Sequence, residues 1–202
     1  METGRKWVAV RIDGNLAAVS TDYKMLARLS EKLASQKTLY GEISAVTLDF
    51  EEVWKLRQET RWEDMMLFGT DFQKKVWRKL WELTHVEEIA DQVGNDEKNP
   101  AKLISYSDFA ELCQNRAGVR AVAHAIGLNP ISVIIPCHLV IPKESIDKMQ
   151  EIQKRAESTI FKGDDLCLNS ILSDNSIDFG EYALGKVIKR ELIIRELTEN
   201  NI

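Results

Sequence analysis

The stretch from residue 106 to residue 127 constrains the fold of this chain more than any other part of the sequence. Two short segments with helical apolar spacing, residues 106–113 and 117–127, are separated only by the polar turn Gln114-Asn115-Arg116. This is the spacing of a helix-turn-helix, and Gly127 is well placed to end the second helix. The sequence therefore predicts a pair of short helices joined by a tight turn.

A cysteine and a histidine follow this helix pair. Asn129-Pro130 turns the chain into an apolar run at residues 131–135, which predicts a β-rich segment that stops at Pro136-Cys137-His138. A thiolate is a strong nucleophile, but a cysteine needs a nearby base or positive potential to ionise at neutral pH. Neighbouring side chains in an extended segment point apart, so a turn or a bridging water is needed to couple the two groups. Taken alone, the tripeptide fits a buried structural cysteine better than a nucleophile.

The remaining sequence divides into two predicted domains. Residues 1–68 predict a small N-terminal α+β domain, and residues 69–202 predict a mostly helical C-terminal domain with a winged-helix-like helix-turn-helix, so the fold class is α/β (α+β). Residues 85–101 are polar and acidic with turn signals and predict a loop, and residues 143–180 are polar and lack a sustained pattern. Strands are predicted at 6–12, 15–20 and 43–49, and the first two are joined by a hairpin turn at Asp13-Gly14. Helices are predicted at 22–35, from Thr70 or Asp71 onward, at 144–157 and at 182–198. The helix from Thr70 is expected to bury Phe72, Val76, Trp77 and Leu80.

Composition narrows the class of protein. The 202 residues are 44% hydrophobic and 29% charged, which is typical of a globular chain of one or two domains. Three cysteines are too few for a disulfide framework, and the N-terminus lacks a secretion signal, so we expect a cytoplasmic location in a prokaryotic cytosol or nucleoid. The net charge of −5 argues against a nucleic-acid coat protein. Residues 100–142, with three basic and two acidic side chains, fit a limited footprint on DNA.

Several ordered motifs resemble one family. Ile135-Pro136-Cys137-His138-Leu139-Val140 resembles the active-site motif of the O6-alkylguanine-DNA alkyltransferases. The resemblance covers about 130 residues, and its further motifs are Gly69-Thr70-x-Phe72-Gln73-x-x-Val76-Trp77, Ser105-Tyr106, Arg120-Ala121-Val122, Asn129-Pro130, and Tyr182-x-x-Gly185-x-x-x-Lys189 with Glu196. It implies that the protein moves an alkyl group from O6 of guanine in DNA onto its own cysteine and is consumed in doing so.

The resemblance also implies roles for single residues. Cys137 would be the nucleophile, His138 its base acting through water, and Glu196 the group that orients the imidazole. Tyr106 would offer its hydroxyl to the purine, and Asn129 would hold the hinge that leads to the cysteine. Tyr182, Ala183 and Lys189 would line the substrate pocket.

DNA contact is assigned to the helix-turn-helix. Arg120 would enter the duplex in place of an extruded nucleotide, with further contacts from Arg116, Ala121, Ser105 and Tyr106. Double-stranded DNA containing alkylated guanine is the expected partner of a monomer that needs no cofactor, no metal and no membrane. Without the resemblance, a basic stripe on a helix is more often a solvated face.

The sequence departs from the family pattern around the pocket. Leu139 stands where the family has an arginine after Cys-His, and Ala183 where a serine is common. Between Cys137 and Tyr182 lie 44 residues, where the family usually has about a dozen. Relative to the family, residues 143–180 are therefore predicted to be an insertion in the second domain, and residues 85–101 a second, smaller one. These differences leave open a second class of function, in which the chain is a non-catalytic module that binds damaged DNA. A cysteine hydrolase is a third and weaker alternative, because no oxyanion loop is visible.

Overall fold

The computed structural model describes residues 5–35, 40–85, 103–157, 171, 173–174 and 176–199. These residues form a mixed α/β fold with two compact units, of which the first comprises Met1–Trp81 and Ala121–Cys137 and the second Glu82–Arg120 and His138–Ile202. These units do not coincide with the predicted domains 1–68 and 69–202. The prediction that those two parts are separate domains stays a prediction. No helix in the described ranges combines the length and the apolar character needed to cross a bilayer.

The first unit contains a three-stranded antiparallel sheet. Its strands β1 (Trp7–Ile12), β2 (Asn15–Ser20) and β3 (Ile43–Leu48) lie in the order β2-β1-β3. Asp13 and Gly14 both have positive φ, 49° and 81°, which is the backbone that a two-residue hairpin turn requires, and the predicted hairpin is confirmed.

The first unit also contains helices. Among them are α1 (Tyr23–Ser35), α2 (Phe50–Glu59) and the start of α3 (Asp71–His85). The sequence analysis did not predict α2, although Asp49 and Glu52 form a complete capping box at its N-terminus. Val76, Trp77 and Leu80 are fully buried on α3 as predicted, whereas Phe72 is exposed, so its assignment to the buried face was wrong.

The first unit also includes residues 121–137, which comprise most of one further helix and the loop that leads to Cys137. Helix α5 (Val119–Gly127), which follows a 3₁₀ turn, is held by the indole of Trp77, which donates to the carbonyl of Ala125 at 2.8 Å. The segment after α5 returns to β2, where the amide of Val19 donates to the carbonyl of Pro130 and the carbonyl of Val19 accepts from the amide of Ser132. The predicted β-rich run at 131–135 was wrong, because these residues form isolated bridges and a turn instead of a strand.

The second unit is mostly helical. A short parallel pair of strands, β4 (Ile104–Ser105) and β5 (Val140–Ile141), lies among its helices. The helices are α4 (Tyr106–Leu112), α6 (Lys143–Glu157) and α7 (Lys186–Glu199). The predicted charged helix at 144–157 is confirmed, and the last helix begins four residues later than predicted. The insertion predicted at 85–101 lies, apart from residue 85, outside the described residues, as does Cys167.

Candidate active site

A buried asparagine organises the loop that leads to Cys137. Pro130 cannot continue helix α5, and the side chain of Asn129, only 2% exposed, replaces the missing backbone bonds. Its Oδ1 accepts from the amide of Ile131 at 3.0 Å, and its Nδ2 donates to the carbonyl of Ile135 at 2.8 Å. One side chain therefore closes the loop from both ends, as expected for a hinge residue.

The same amide contacts the sulfur of Cys137. Asn129 Nδ2 lies 3.1 Å from Cys137 Sγ, and the backbone amide of Cys137 donates to the carbonyl of Ile135 at 2.8 Å. Cys137 is 5% exposed, so the sulfur is almost entirely withdrawn from water. A fixed N–H donor stabilises negative charge on sulfur without the reorganisation that water would need. This arrangement suits a nucleophilic thiolate better than an inert core cysteine.

Backbone strain marks the loop. Val133 is fully buried and has a φ of 74°, a conformation that is unfavourable for a β-branched residue. Such strain persists only where the surroundings fix the backbone, and it is concentrated at functional sites. The hydrogen bonds of Asn129 supply part of that constraint.

A histidine–carboxylate pair lies in the second unit. His138 Nε2 lies 2.8 Å from Glu196 Oε1, and the two residues are 0% and 5% exposed. The carboxylate fixes the orientation of the ring and stabilises positive charge on it. His138 is in the 3₁₀ turn Cys137–Leu139, so the segment is not extended at this point. Leu139, which stands where the resembled family has an arginine, is fully buried and is part of the hydrophobic core.

A buried lysine connects three parts of the second unit. Lys189, 1% exposed, donates from Nζ to the carbonyl of Val140 at 2.7 Å and to that of Glu181 at 3.3 Å. The same Nζ lies 5.6 Å from the ring centroid of Tyr106, the half-buried first residue of α4. The predicted pocket residue Lys189 thus holds the backbone at Val140 and at Glu181.

The other two predicted pocket residues lie in a turn before α7. The amide of Gly185 donates to the carbonyl of Tyr182 at 2.9 Å, and the φ of Gly185 is 95°. Tyr182 is half-buried and Ala183 is exposed. A side chain at position 185 would be strained, which explains glycine at this point of the motif.

The residues assigned to DNA contact differ in exposure. Arg116, Arg120 and Ala121 are exposed, and Arg116 Nη1 lies 4.0 Å from Glu111 Oε1. Ser105 is fully buried, and its hydroxyl accepts from the amide of Asp108 at the start of α4. Its expected contact with DNA stays a prediction, and the role seen in the structure is that of a helix cap. The helix-turn-helix geometry likewise stays a prediction.

Two features of the site were not anticipated from the sequence. The motif suggested a hinge role for Asn129 but gave no sign that its amide contacts the sulfur. The structure also shows that α6 contacts residues 176–178, where the Ser145 hydroxyl donates to the carbonyl of Asp178 and Lys148 Nζ to that of Ser176. The sequence gives no pairing signal for these contacts. In the described parts of the chain, no three His, Cys, Asp or Glu side chains are grouped as a metal site would need.

Part of the chain is similar to a known protein family. Residues 96–158 match the family model described as 6-O-methylguanine DNA methyltransferase, DNA binding domain. A protein of Acanthamoeba polyphaga mimivirus named "Probable methylated-DNA--protein-cysteine methyltransferase" is 39% identical over 82 residues, which are 41% of this chain and 45% of that protein. The methylated-DNA–protein-cysteine methyltransferase of Haemophilus influenzae is 37% identical over 76 residues, 38% of this chain and 34% of that protein.

These matches are partial. The chain spans less than half the length of the curated relatives it matches. The crystal structure of Mycobacterium tuberculosis O6-methylguanine methyltransferase aligns over 92% of this chain and 82% of that chain, at 19% identity and a TM-score of 0.49. That score is too low to establish a shared fold.

Proposed function

We propose that this chain repairs DNA by accepting an alkyl group on Cys137, because residues 96–158 match the family model described as 6-O-methylguanine DNA methyltransferase, DNA binding domain. The alkyl group comes from O6 of an alkylated guanine in double-stranded DNA. The product is a thioether, so each molecule acts once. No cofactor takes part in this reaction.

The proposed chemistry is a nucleophilic displacement. The Cys137 thiolate attacks the alkyl carbon, the S–C bond forms, and the bond from carbon to O6 breaks. His138 takes the thiol proton through a water molecule, and the Glu196 carboxylate stabilises the imidazolium. Tyr106 donates a hydrogen bond to the purine as the leaving group gains charge. Atoms and charge balance when the proton that His138 took from the thiol passes to the departing guanine, which leaves as a neutral base and returns the imidazole to its neutral form.

The observation that carries this proposal is the donor placed at the sulfur. Asn129 Nδ2 lies 3.1 Å from Cys137 Sγ, inside the segment that matches the family model. A structural cysteine does not need a buried amide aimed at it. An attacking sulfur benefits from one, because negative charge must exist there before the transfer.

For the sulfur to reach the alkyl carbon, the damaged base must be flipped out of the duplex. O6 of guanine is not reachable at the depth of a buried sulfur while the base stays stacked, so the nucleotide must leave the helix. We assign Arg120 to the vacated position, with Arg116 and Ala121 contacting the backbone as the exposed side chains of the same region. The chain would act as a monomer in the cytoplasm.

Intact-protein mass spectrometry tests the proposal. A duplex carrying one O6-methylguanine, in excess over protein, should raise the mass by about 14 Da, one methylene, in a single stoichiometric step. The variant Cys137→Ser should gain nothing, and Cys113→Ser, which replaces the other described buried cysteine, should react like the parent. An unchanged mass of the parent protein together with retained binding of the damaged duplex would favour the non-catalytic module.

A further inference from the structure

We propose that a cleft in the first unit binds a small molecule with one carboxylate and an apolar body, and that the bound molecule steadies the hinge at Asn129. The cleft lies between α1, the segment that leads into α3 and the residues after α5, and its volume is about 550 Å³. That volume is within the range of ligand pockets in proteins. All of its lining residues belong to the first unit, and binding there does not require alkyl transfer.

The cationic side chains of the cleft come from α1. Arg28 and Lys32 both line it, and they lie one helical turn apart, so their side chains are neighbours. Glu31 is the acidic residue of the lining, which leaves one net positive charge. Burial and the charge of Arg28 lower the pKa of Lys32, and among the described residues no carboxylate opposes this effect. A bound monoanion offsets the repulsion between the two cations, whereas a dianion brings more negative charge than the lining balances.

The Lys32 ammonium has donors for such a group. Its Nζ donates to the carbonyl of Phe68 at 2.7 Å, and an ammonium carries three N–H groups, so two remain beyond that bond. The same bond holds the positive charge beside Phe68, which itself lines the cleft. The guanidinium of Arg28 adds donors whose planar arrangement matches a carboxylate.

Apolar side chains supply the rest of the lining. Met25 and Leu29, each 7% exposed, lie on α1, and Phe68, Leu128 and Pro130 are half-buried. Half-buried apolar side chains lose further contact with water when an apolar body covers them, which is favourable. An inorganic ion would leave that surface in water. The cleft therefore fits an amphipathic monoanion better than a simple ion.

The cleft also borders the hinge that shapes the Cys137 loop. Leu128 and Pro130, which line it, stand on either side of Asn129. The carbonyl of Pro130 accepts from the amide of Val19 at 3.0 Å, and Asn129 Nδ2 contacts the sulfur of Cys137. A molecule packed against Leu128 and Pro130 restricts the backbone on both sides of Asn129. Occupancy of the cleft is therefore transmitted to the hinge.

Isothermal titration calorimetry of the full chain with decanoate tests the site. Decanoate should bind one to one, whereas decanol, which lacks the charge, and acetate, which lacks the apolar body, should bind about tenfold more weakly or worse. The double variant Arg28→Met with Lys32→Met removes both charges, and its affinity for decanoate should fall about tenfold or more, the effect of a lost hydrogen bond to a charged group. Lys24→Met is the control, because Lys24 is an exposed residue of α1 outside the lining.

Hydrogen exchange tests the link to the hinge. The amides of Ile131 and Ser132, which donate to Asn129 Oδ1 and to the carbonyl of Val19, should exchange more slowly when decanoate is bound. Arg28→Met alone keeps the test available if loss of the Lys32 bond prevents folding of the double variant.

Absence of decanoate binding by the parent protein, equal affinity of the parent and the charge variants, or equal affinity for decanol and decanoate would overturn the site. Unchanged exchange of both amides at saturating decanoate would overturn the link to the hinge.

Discussion

The side-chain amide of Asn129 lies 3.1 Å from the sulfur of Cys137 and 2.8 Å from the carbonyl oxygen of Ile135. A single buried group therefore shapes the loop and also places a donor at the sulfur. The Oδ1 of the same residue makes the third contact, with the amide of Ile131, so this contact can be kept while both contacts of Nδ2 are removed.

Asn129→Asp tests the donor. The variant keeps an acceptor for the Ile131 amide but replaces the N–H group at the sulfur with an oxygen that repels a thiolate. We expect transfer to slow roughly tenfold to a hundredfold, the range for a lost hydrogen bond to a charged group. Single-turnover rates measure this effect, and thermal unfolding measures stability separately. A rate equal to that of the parent would show that the amide serves only the loop.

Glu196→Ala should nearly abolish activity. Removal of the carboxylate leaves the fully buried His138 without the group that orients it, and general-base contributions of this kind are about a hundredfold or more. Glu196→Gln keeps a hydrogen bond but not the charge, so its loss should be smaller. Glu191→Gln on the same helix is the control. Equal rates for Glu196→Ala and the parent would show that orientation of His138 by Glu196 takes no part in the transfer.

Arg120→Ala separates DNA handling from chemistry. Arg120 is exposed on α5 and, in the proposal, fills the gap left by the extruded nucleotide. Transfer from O6-methylguanine in a duplex should fall more than transfer from the isolated base, since only the duplex needs a flipped nucleotide. Rates for both substrates are measured side by side. Equal losses on the two would remove this role from Arg120.

Stability in acid should depend on Asp178. The backbone N–H of Gly180 donates to the Asp178 carboxylate, and this bond, aided by the charge of Lys186, lowers the pKa of Asp178 below its usual 3.8. A carboxyl with a depressed folded pKa adds stability above its unfolded pKa and loses it as the pH falls through the folded pKa.

The variant Asp178→Asn should therefore be less stable than the parent at pH 7, and the difference should shrink below about pH 4. The effect is small, because the side chain is largely exposed. Urea unfolding at a series of pH values measures it. Parallel stability curves for the two proteins would contradict this assignment.

Local patterns in the sequence were enough to predict much of the fold. The Asp13-Gly14 hairpin is confirmed because its turn chemistry is contained in two residues, and α3 because its apolar period is unbroken. Helix α2 was missed although the capping pair Asp49 and Glu52 signals it, since charged residues interrupt its apolar stripe. The apolar run 131–135 was misread as β-rich because its path is set by Asn129 and β2, and spacing does not encode such contacts.

The proposed catalytic residues could be named from sequence motifs, but the contacts that hold them in place could not. Cys137, His138 and Glu196 stand at recognisable spacings, and the His138–Glu196 contact is present in the structure. The burial of Ser105 as a helix cap and the attachment of α6 through Ser145 depend on contacts between distant segments. A single sequence carries no record of such pairings.

The account is tested most directly by locating the transferred group. After exhaustive reaction with a duplex containing O6-methylguanine, the protein is digested and the cysteine-containing peptides are sequenced by mass spectrometry. The account predicts one methyl thioether per molecule, on Cys137, and an unmodified Cys113. Methylation at another residue, or a fully reduced and unmodified Cys137 in protein that has bound the damaged duplex, would contradict it.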